Sequence, residues 1–138
     1  MEIERILVAV DGSEQSIRAA TMAVNIAKKT GARLTFISIA ELSDIPSLIG
    51  EAQSPHGEEH AQLALGMAKR IADADGVPSE VVLRKGHPAG QILRYAAEFK
   101  PSIIAIGSRG LTGAAGILLG SVSTSVSKNT HYPVLIIK

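Results

Sequence analysis

Residues 6–13 read ILVAVDGS, and the way this stretch ends decides what kind of sheet the chain builds. Ile6-Leu7-Val8-Ala9-Val10 is apolar without alternation, the pattern of a strand buried on both faces. The run stops at Asp11-Gly12-Ser13, and Ser13 is a good N-cap for a helix beginning there. From that point Ile17, Ala20, Val24 and Ala27 recur at helical spacing. Arg18, Asn25 and Lys28 fall on other faces, and Gly31 supplies the C-cap. A doubly buried strand feeding an amphipathic helix is the first half of a β-α-β unit.

The rest of the chain repeats that alternation. Leu34 to Ile39 reads as a second strand. Residues 41–57, ELSDIPSLIGEAQSPHG, hold two prolines and two glycines without a clean period, and read as a long connection with a short helical turn near Ser47–Ile49. Ala61, Ala64, Leu65, Ala68, Ile71 and Ala72 mark a second helix that ends by Gly76-Val77-Pro78. Val81-Val82-Leu83 is a third strand. Pro88 opens a third helix with Ile92, Leu93, Ala96 and Phe99 on its inner face. Ile103–Ile106 is the fourth strand, a helix carries Val122 and Val126, and Val134–Ile137 is the last strand. The order β-α-β-α-β-α-β-α-β with apolar, β-branched strands predicts an α/β fold: an open five-stranded parallel sheet, helices on both faces, right-handed crossovers. No internal repeat or linker interrupts it, so residues 1–138 are expected to form one domain.

Composition narrows the function. A net charge of +1, from 14 basic and 13 acidic residues scattered along the chain, lacks the basic stripe of a nucleic-acid binder. Aromatic residues are 3% with no tryptophan, too few for base-stacking platforms. The absence of cysteine excludes disulfides, thiolate catalysis and cysteine-ligated metals, and fits a reducing cytoplasm. The apolar run near the N-terminus is too short for a signal peptide, and no segment approaches the roughly 20 apolar residues of a membrane span. The expectation is a cytoplasmic protein that neither binds nucleic acid nor inserts in a membrane.

In open parallel sheets, ligands bind outside the carboxyl ends of the strands, where the strand order reverses. Two loops suit that place: Val10-Asp11-Gly12-Ser13 after strand one, and AIGSRGLTGAAGILLGSVSTSV, residues 105–126, after strand four. If strands one and four are neighbours, both open onto one crevice. The second loop holds five glycines and no lysine. Backbone N–H groups near Gly107–Gly110 and at Gly120-Ser121, opening a helix, are donors with a partial positive charge behind them. Phosphate docks at such a place readily, and glycine lets its oxygens reach the backbone. Ser121 and Ser123 add hydroxyls, and Arg109 adds a positive charge. Asp11, acceptor-only when ionised, suits a ribose hydroxyl or a magnesium-bound water better than a phosphate. On spacing alone, glycine-rich loops after strands are as often tight turns, and that alternative stays open. There is no Walker GxxxxGK[ST], and no GxGxxG follows the first strand, which disfavours P-loop and dinucleotide folds.

Gly107-x2-Gly110-x9-Gly120-Ser121, together with ILVAVDGS, Gly86-x-Pro88, LLGSVS (Leu118–Ser123) and YPVLII (Tyr132–Ile137), resembles the universal stress protein family in its ATP-binding branch, over nearly the whole chain. The resemblance implies a Rossmann-like, adenine nucleotide α-hydrolase-like sheet in strand order 3-2-1-4-5. It implies ATP as ligand, with or without Mg2+. Asp11 would sit at the ribose, with Ala9 and Val10 as adenine-pocket wall and Ile39 offering backbone groups to the adenine edge. Gly107, Arg109, Gly110, Gly120, Ser121, Val122 and Ser123 would surround the phosphates. It also implies a homodimer through Val134–Ile137, a regulatory protein partner and a nucleotide-dependent switch in the stress response. Two departures stand out. The family usually carries Asp where this chain has Pro101-Ser102, a change expected to be structural because it lies far from the pocket. Gly113 and Gly116 add flexibility beyond the signature.

Other signals are set aside. His56-Gly57-Glu58-Glu59-His60 matches the HxxEH pattern of inverted zinc proteases, but Pro55 and Gly57 make it a solvated turn at a helix entrance. His87 before Pro88 reads as a capping or exposed residue, and Thr124, Ser125 and Ser127 as small hydroxyls that allow close helix packing. An ATP hydrolase or nucleotidyl-transfer enzyme in the same pocket is the competing function. It is weakened by the lack of SGGxDS and HxGH-like motifs and of a base with a fixed partner. A receiver domain would need clustered acids after strand one and a phosphorylatable Asp after strand three, where Leu83-Arg84-Lys85-Gly86 stands.

Overall fold

Leu7 and Val8 are consecutive, point to opposite sides of one strand, and are both completely buried. That requires cover on both faces of the sheet, and a computed structural model shows where it comes from. The structure describes residues 1–41, 57–109 and 120–138. The elements are β1 (Arg5–Ala9), α1 (Glu14–Thr30), β2 (Arg33–Ala40), α2 (Glu58–Ala74), β3 (Ser79–Lys85), α3 (Pro88–Phe99), β4 (Ile103–Gly107), α4 (Ser121–Asn129) and β5 (Val134–Ile137). They form one parallel sheet in the order β3-β2-β1-β4-β5, as expected. The connection near Ser47–Ile49, with His56, lies outside the described residues.

Chain direction assigns the helices to faces. The steps β1→β2→β3 run one way across the sheet, while β3→β4→β5 run back. Crossovers of one hand therefore put the first two helices on one face and the last two on the other. Ile6, Val8, Leu34, Phe36 and Ala105 pack with α1 and α2 residues such as Ala20, Val24, Ala64 and Ala68. Leu7, Ile37, Ile104 and Ile106 pack with Ala89, Ile92 and Ala96 of α3 and Val126 of α4. Burying a side chain such as Phe36 or Ile104 in this way stabilises the fold by about 1.5–3 kcal/mol.

The caps fall where the residues predict. Ser13 Oγ accepts the Ser16 N–H at 3.2 Å, and Gly31 closes α1 in the left-handed region with φ 74°. Pro88 opens α3. Some expectations need correction. Val10 lies beyond the end of β1, although its N–H still bonds to the Ile37 carbonyl. β3 is longer than Val81–Leu83, because an edge strand tolerates charged residues such as Glu80 and Lys85 that the apolar run leaves out. Ile17 and Leu93, assigned to inner helix faces, are only half-buried. The buried stripe of α1 is instead made mostly of small residues: Ser16, Ala19, Ala20, Ala23, Val24 and Ala27.

The two sheet edges differ. β3 is guarded by Lys85–Glu58 (3.0 Å) and Arg84–Glu98 (3.8 Å) pairs, with Arg84 also over the Tyr95 ring. Such exposed pairs contribute little stability, but charge blunts an open edge. β5 is entirely apolar and half-buried. The Ile104 N–H donates to the Pro133 carbonyl and the Ser108 N–H to that of Ile137, so alternate β5 residues face β4. The N–H and C=O of Val134 and Ile136 consequently face outward. Ser102 sits at the far end of the sheet from the strand carboxyl ends. Its hydroxyl accepts the N–H groups of Glu4 (2.9 Å) and Arg5 (3.2 Å), so it splices the chain start to β4.

Candidate functional site

The order reverses between β1 and β4, and the β1 and β4 loops leave the sheet there side by side. The β1 loop is braced by its own polar groups. Gly12 has φ 85°, a conformation that other residues adopt only at a cost. Asp11 Oδ1 accepts the Ser13 N–H at 2.9 Å, and the Asp11 N–H reaches Ser16 Oγ at 3.3 Å. Ser16 Oγ in turn donates to the Ser13 carbonyl at 3.0 Å. One carboxylate oxygen of Asp11 is thus fixed to the backbone. Oδ2 takes no part in this bracing, and the residue is half-buried at the crevice.

Ala9 and Val10, expected together as pocket wall, point to opposite faces. Ala9 packs in the α3/α4 core and Val10 in the α1/α2 core. Their exposures of 8% and 4% leave mainly backbone for any contact at the crevice. The Val10 carbonyl accepts the Ser38 hydroxyl at 2.7 Å. Two bonds fix the direction of the β2 backbone: Val10 N–H to the Ile37 carbonyl (2.9 Å) and Gly86 N–H to the Ala40 carbonyl (3.0 Å). Since these groups alternate along a strand, the N–H and C=O of Ile39 turn toward the β1 side, where β1 pairing has ended at Ala9. Hydrogen-bonding edges of a flat ring could pair with them.

The β4 side begins with Gly107, whose neighbour is protein. A Cβ placed there would lie 2.9 Å from Gln15 Cβ and 3.0 Å from both Gln15 C and Ser16 N. The first turn of α1 therefore rests directly on the end of β4. Ser108 is next and buried, its N–H donating to the Ile137 carbonyl at 2.7 Å and its own carbonyl accepting the Gly120 N–H at 2.6 Å. Arg109 comes after it and is half-buried. Gly110, with Gly113 and Gly116, lies outside the described residues.

Gly120 is the N-cap of α4 and has no side chain to cap it. The helix ladder starts with Thr124 N–H to the Gly120 carbonyl, so the N–H groups of Ser121, Val122 and Ser123 lie before it and make no bond within the helix. Ser121 is exposed and Val122 half-buried. Ser123 is 1% exposed, and its hydroxyl donates toward the Ser108 (3.1 Å) and Gly120 (3.0 Å) carbonyls. Burial at that position is not legible in the sequence, where a serine after a glycine turn reads as wet. The site thus brings together Asp11, the Ile39 backbone and the α4 N-terminus at one end of the sheet. His87, at the N-cap of α3, is exposed and makes no side-chain capping bond.

A groove of about 740 Å3 lies at the opposite end, lined by Lys28, Gly31, Leu34, Asp75, Gly76 and Glu80 among others. There α1 and α2 present their C-terminal carbonyls, the wrong polarity for an anion. Among the described residues no group of His, Asp and Glu is placed to hold a metal ion, and no helix is long and apolar enough to cross a membrane.

The fold has known relatives. Residues 2–138 match the model of the universal stress protein family. Universal stress protein MJ0531 of Methanocaldococcus jannaschii is 37% identical, over 98% of this chain and 82% of its own length. A universal stress protein crystallised in complex with cAMP superposes with a TM-score of 0.77 at 28% identity, covering 100% of this chain and 99% of that one. The Archaeoglobus fulgidus universal stress protein in complex with dAMP gives 0.74 at 26% identity, with both chains covered completely.

Proposed function

This chain belongs to the universal stress protein family, and from that premise we propose that it binds an adenine nucleotide, ATP, across the β1/β4 crevice and acts as a cytoplasmic regulatory switch. The observation that carries the reading is the N-terminus of α4. Three successive N–H groups, at Ser121, Val122 and Ser123, open beside the β1 loop at the switch of strand order. Helix N-termini of this kind favour phosphate. Two structural neighbours are in complex with cAMP and dAMP, which supports an adenosine phosphate as the ligand class.

In this reading the base lies against the Ile39 backbone, Asp11 Oδ2 takes a ribose hydroxyl, and the phosphates reach the first turn of α4. Arg109 and Gly110 join them from the β4 loop. Mg2+ accompanies the phosphates where ATP brings it. The protein binds rather than turns over ATP. Phosphoryl transfer calls for a positioned nucleophile and clamping charges, whereas one oxygen of Asp11 is already committed to the Ser13 N–H. The molecule works as a homodimer joined through the outward groups of β5, and a regulatory protein partner reads its nucleotide state.

Asp11→Ala tests the ribose assignment by calorimetry. Binding of ATP should fall by about ten-fold, the loss of roughly one charge-assisted hydrogen bond, while inorganic triphosphate is unaffected. Equal losses for both ligands would move Asp11 away from the ribose.

A further inference from the structure

We propose that Ser123 is a positioning residue: its hydroxyl holds the first turn of α4 against the end of β4 and does not donate to the bound phosphate. Counting protons leads there. A serine hydroxyl carries a single proton. Ser123 is almost fully buried, and the groups its Oγ meets are two carbonyl oxygens, of Ser108 at 3.1 Å and Gly120 at 3.0 Å. A carbonyl cannot donate, so the Ser123 proton serves one or both of them. An ionised phosphate oxygen is also an acceptor only. Ser123 can donate to it only by giving up these two bonds. The carbonyls would keep their backbone donors, Gly120 N–H and Thr124 N–H, but the turn would lose its side-chain tie to the end of β4.

The surrounding bonds show what the hydroxyl holds. The Ser108 carbonyl also receives the Gly120 N–H at 2.6 Å, and the Ser108 N–H is tied to Ile137 of β5 at 2.7 Å. One residue at the end of β4 therefore fastens both the edge strand and the start of α4. Gly120 reaches it through the backbone and Ser123 through its side chain, from adjacent corners of one helical turn. With those groups engaged, the N–H of Ser121, Val122 and Ser123 and the exposed Ser121 hydroxyl remain at the α4 start for an anion. Two serines two residues apart divide the work: Ser121 meets the anion, and Ser123 fixes the turn that presents it.

The inference rests on the nucleotide reading only for what α4 is positioned to do; the latch itself exists without ligand. The test is therefore amide hydrogen exchange in the nucleotide-free protein, read at Gly120 and Thr124 by NMR, with ATP affinity measured in parallel. Ser123→Ala should speed exchange at Gly120 by about ten-fold, the loss of one net hydrogen bond, and weaken ATP several-fold. Ser121→Ala should leave exchange unchanged and weaken ATP alone. Ser123→Thr, which keeps the hydroxyl, should restore protection. Because Ser123→Ala only removes atoms, it decides the matter even where the threonine methyl does not fit. Unchanged exchange at Gly120 in Ser123→Ala overturns the proposal, whether ATP affinity falls (a direct ligand contact) or stays the same. If the wild-type protein binds no ATP, the nucleotide reading fails, and the exchange result still judges the latch.

Discussion

Single atoms decide several roles in this protein. Gly107 belongs to the glycine pattern that suggests a phosphate loop, yet the space its Cβ would fill is taken by Gln15 and the backbone of Ser16. Gly107→Ala should therefore destabilise the unliganded fold by about 1–3 kcal/mol, the usual cost of forcing atoms into a packed site. A lowered urea midpoint with an unchanged slope is the expected reading; an unaltered midpoint would contradict the contact. Lys100 ends α3 with φ 53°, an unfavourable conformation for a residue with a Cβ. Lys100→Gly should raise stability by about 0.5–1 kcal/mol in the same urea titration, part of the strain being offset by the greater freedom of glycine when unfolded. At this scale the sequence shows residue types but not neighbours. It cannot say that Gly107 is small for the sake of α1, or that Ser123 is buried while Ser121 is exposed.

At the scale of elements the sequence is far more informative, because caps and periodicity are local. Ser13, Gly31 and Pro88 each act at the helix end where their chemistry predicts. Ser13→Ala should cost about 1 kcal/mol, and Ser13→Asp should recover most of it, since aspartate caps as well as serine does. Equal losses in thermal melts of both variants would mean that Ser13 matters for its packing instead. What periodicity misses also has a physical reason. A helix lying close on a sheet is selected for small residues, so α1 buries Ser16, Ala19 and Ala23 while the larger Ile17 stays half-buried. The apolar run understates β3 because an edge position admits Glu80, Arg84 and Lys85 among the apolar residues.

At the scale of the molecule, the strand order places the β1 loop, the end of β2 and the start of α4 at one end of the sheet, and β5 at its side. The alternation of strands and helices makes that architecture readable, since chirality leaves few ways to connect them. In the proposed homodimer, assembly would run through the outward groups of β5. Ile136→Pro removes an outward N–H while leaving the β4-facing groups of Leu135 and Ile137 in place, and should turn the proposed dimer into a monomer by sedimentation. A dimer that survives would place the interface elsewhere.

A phosphate held at the α4 N-terminus is the central claim, and calorimetric titration of the wild-type protein with ATP and with adenosine tests it most directly. Both ligands share the base and ribose contacts, so the difference isolates the phosphate site. ATP should bind at least about ten-fold more tightly than adenosine, an advantage of about 1.4 kcal/mol within reach of one or two charge-assisted hydrogen bonds. Equal affinities, or no heat with either, would contradict it.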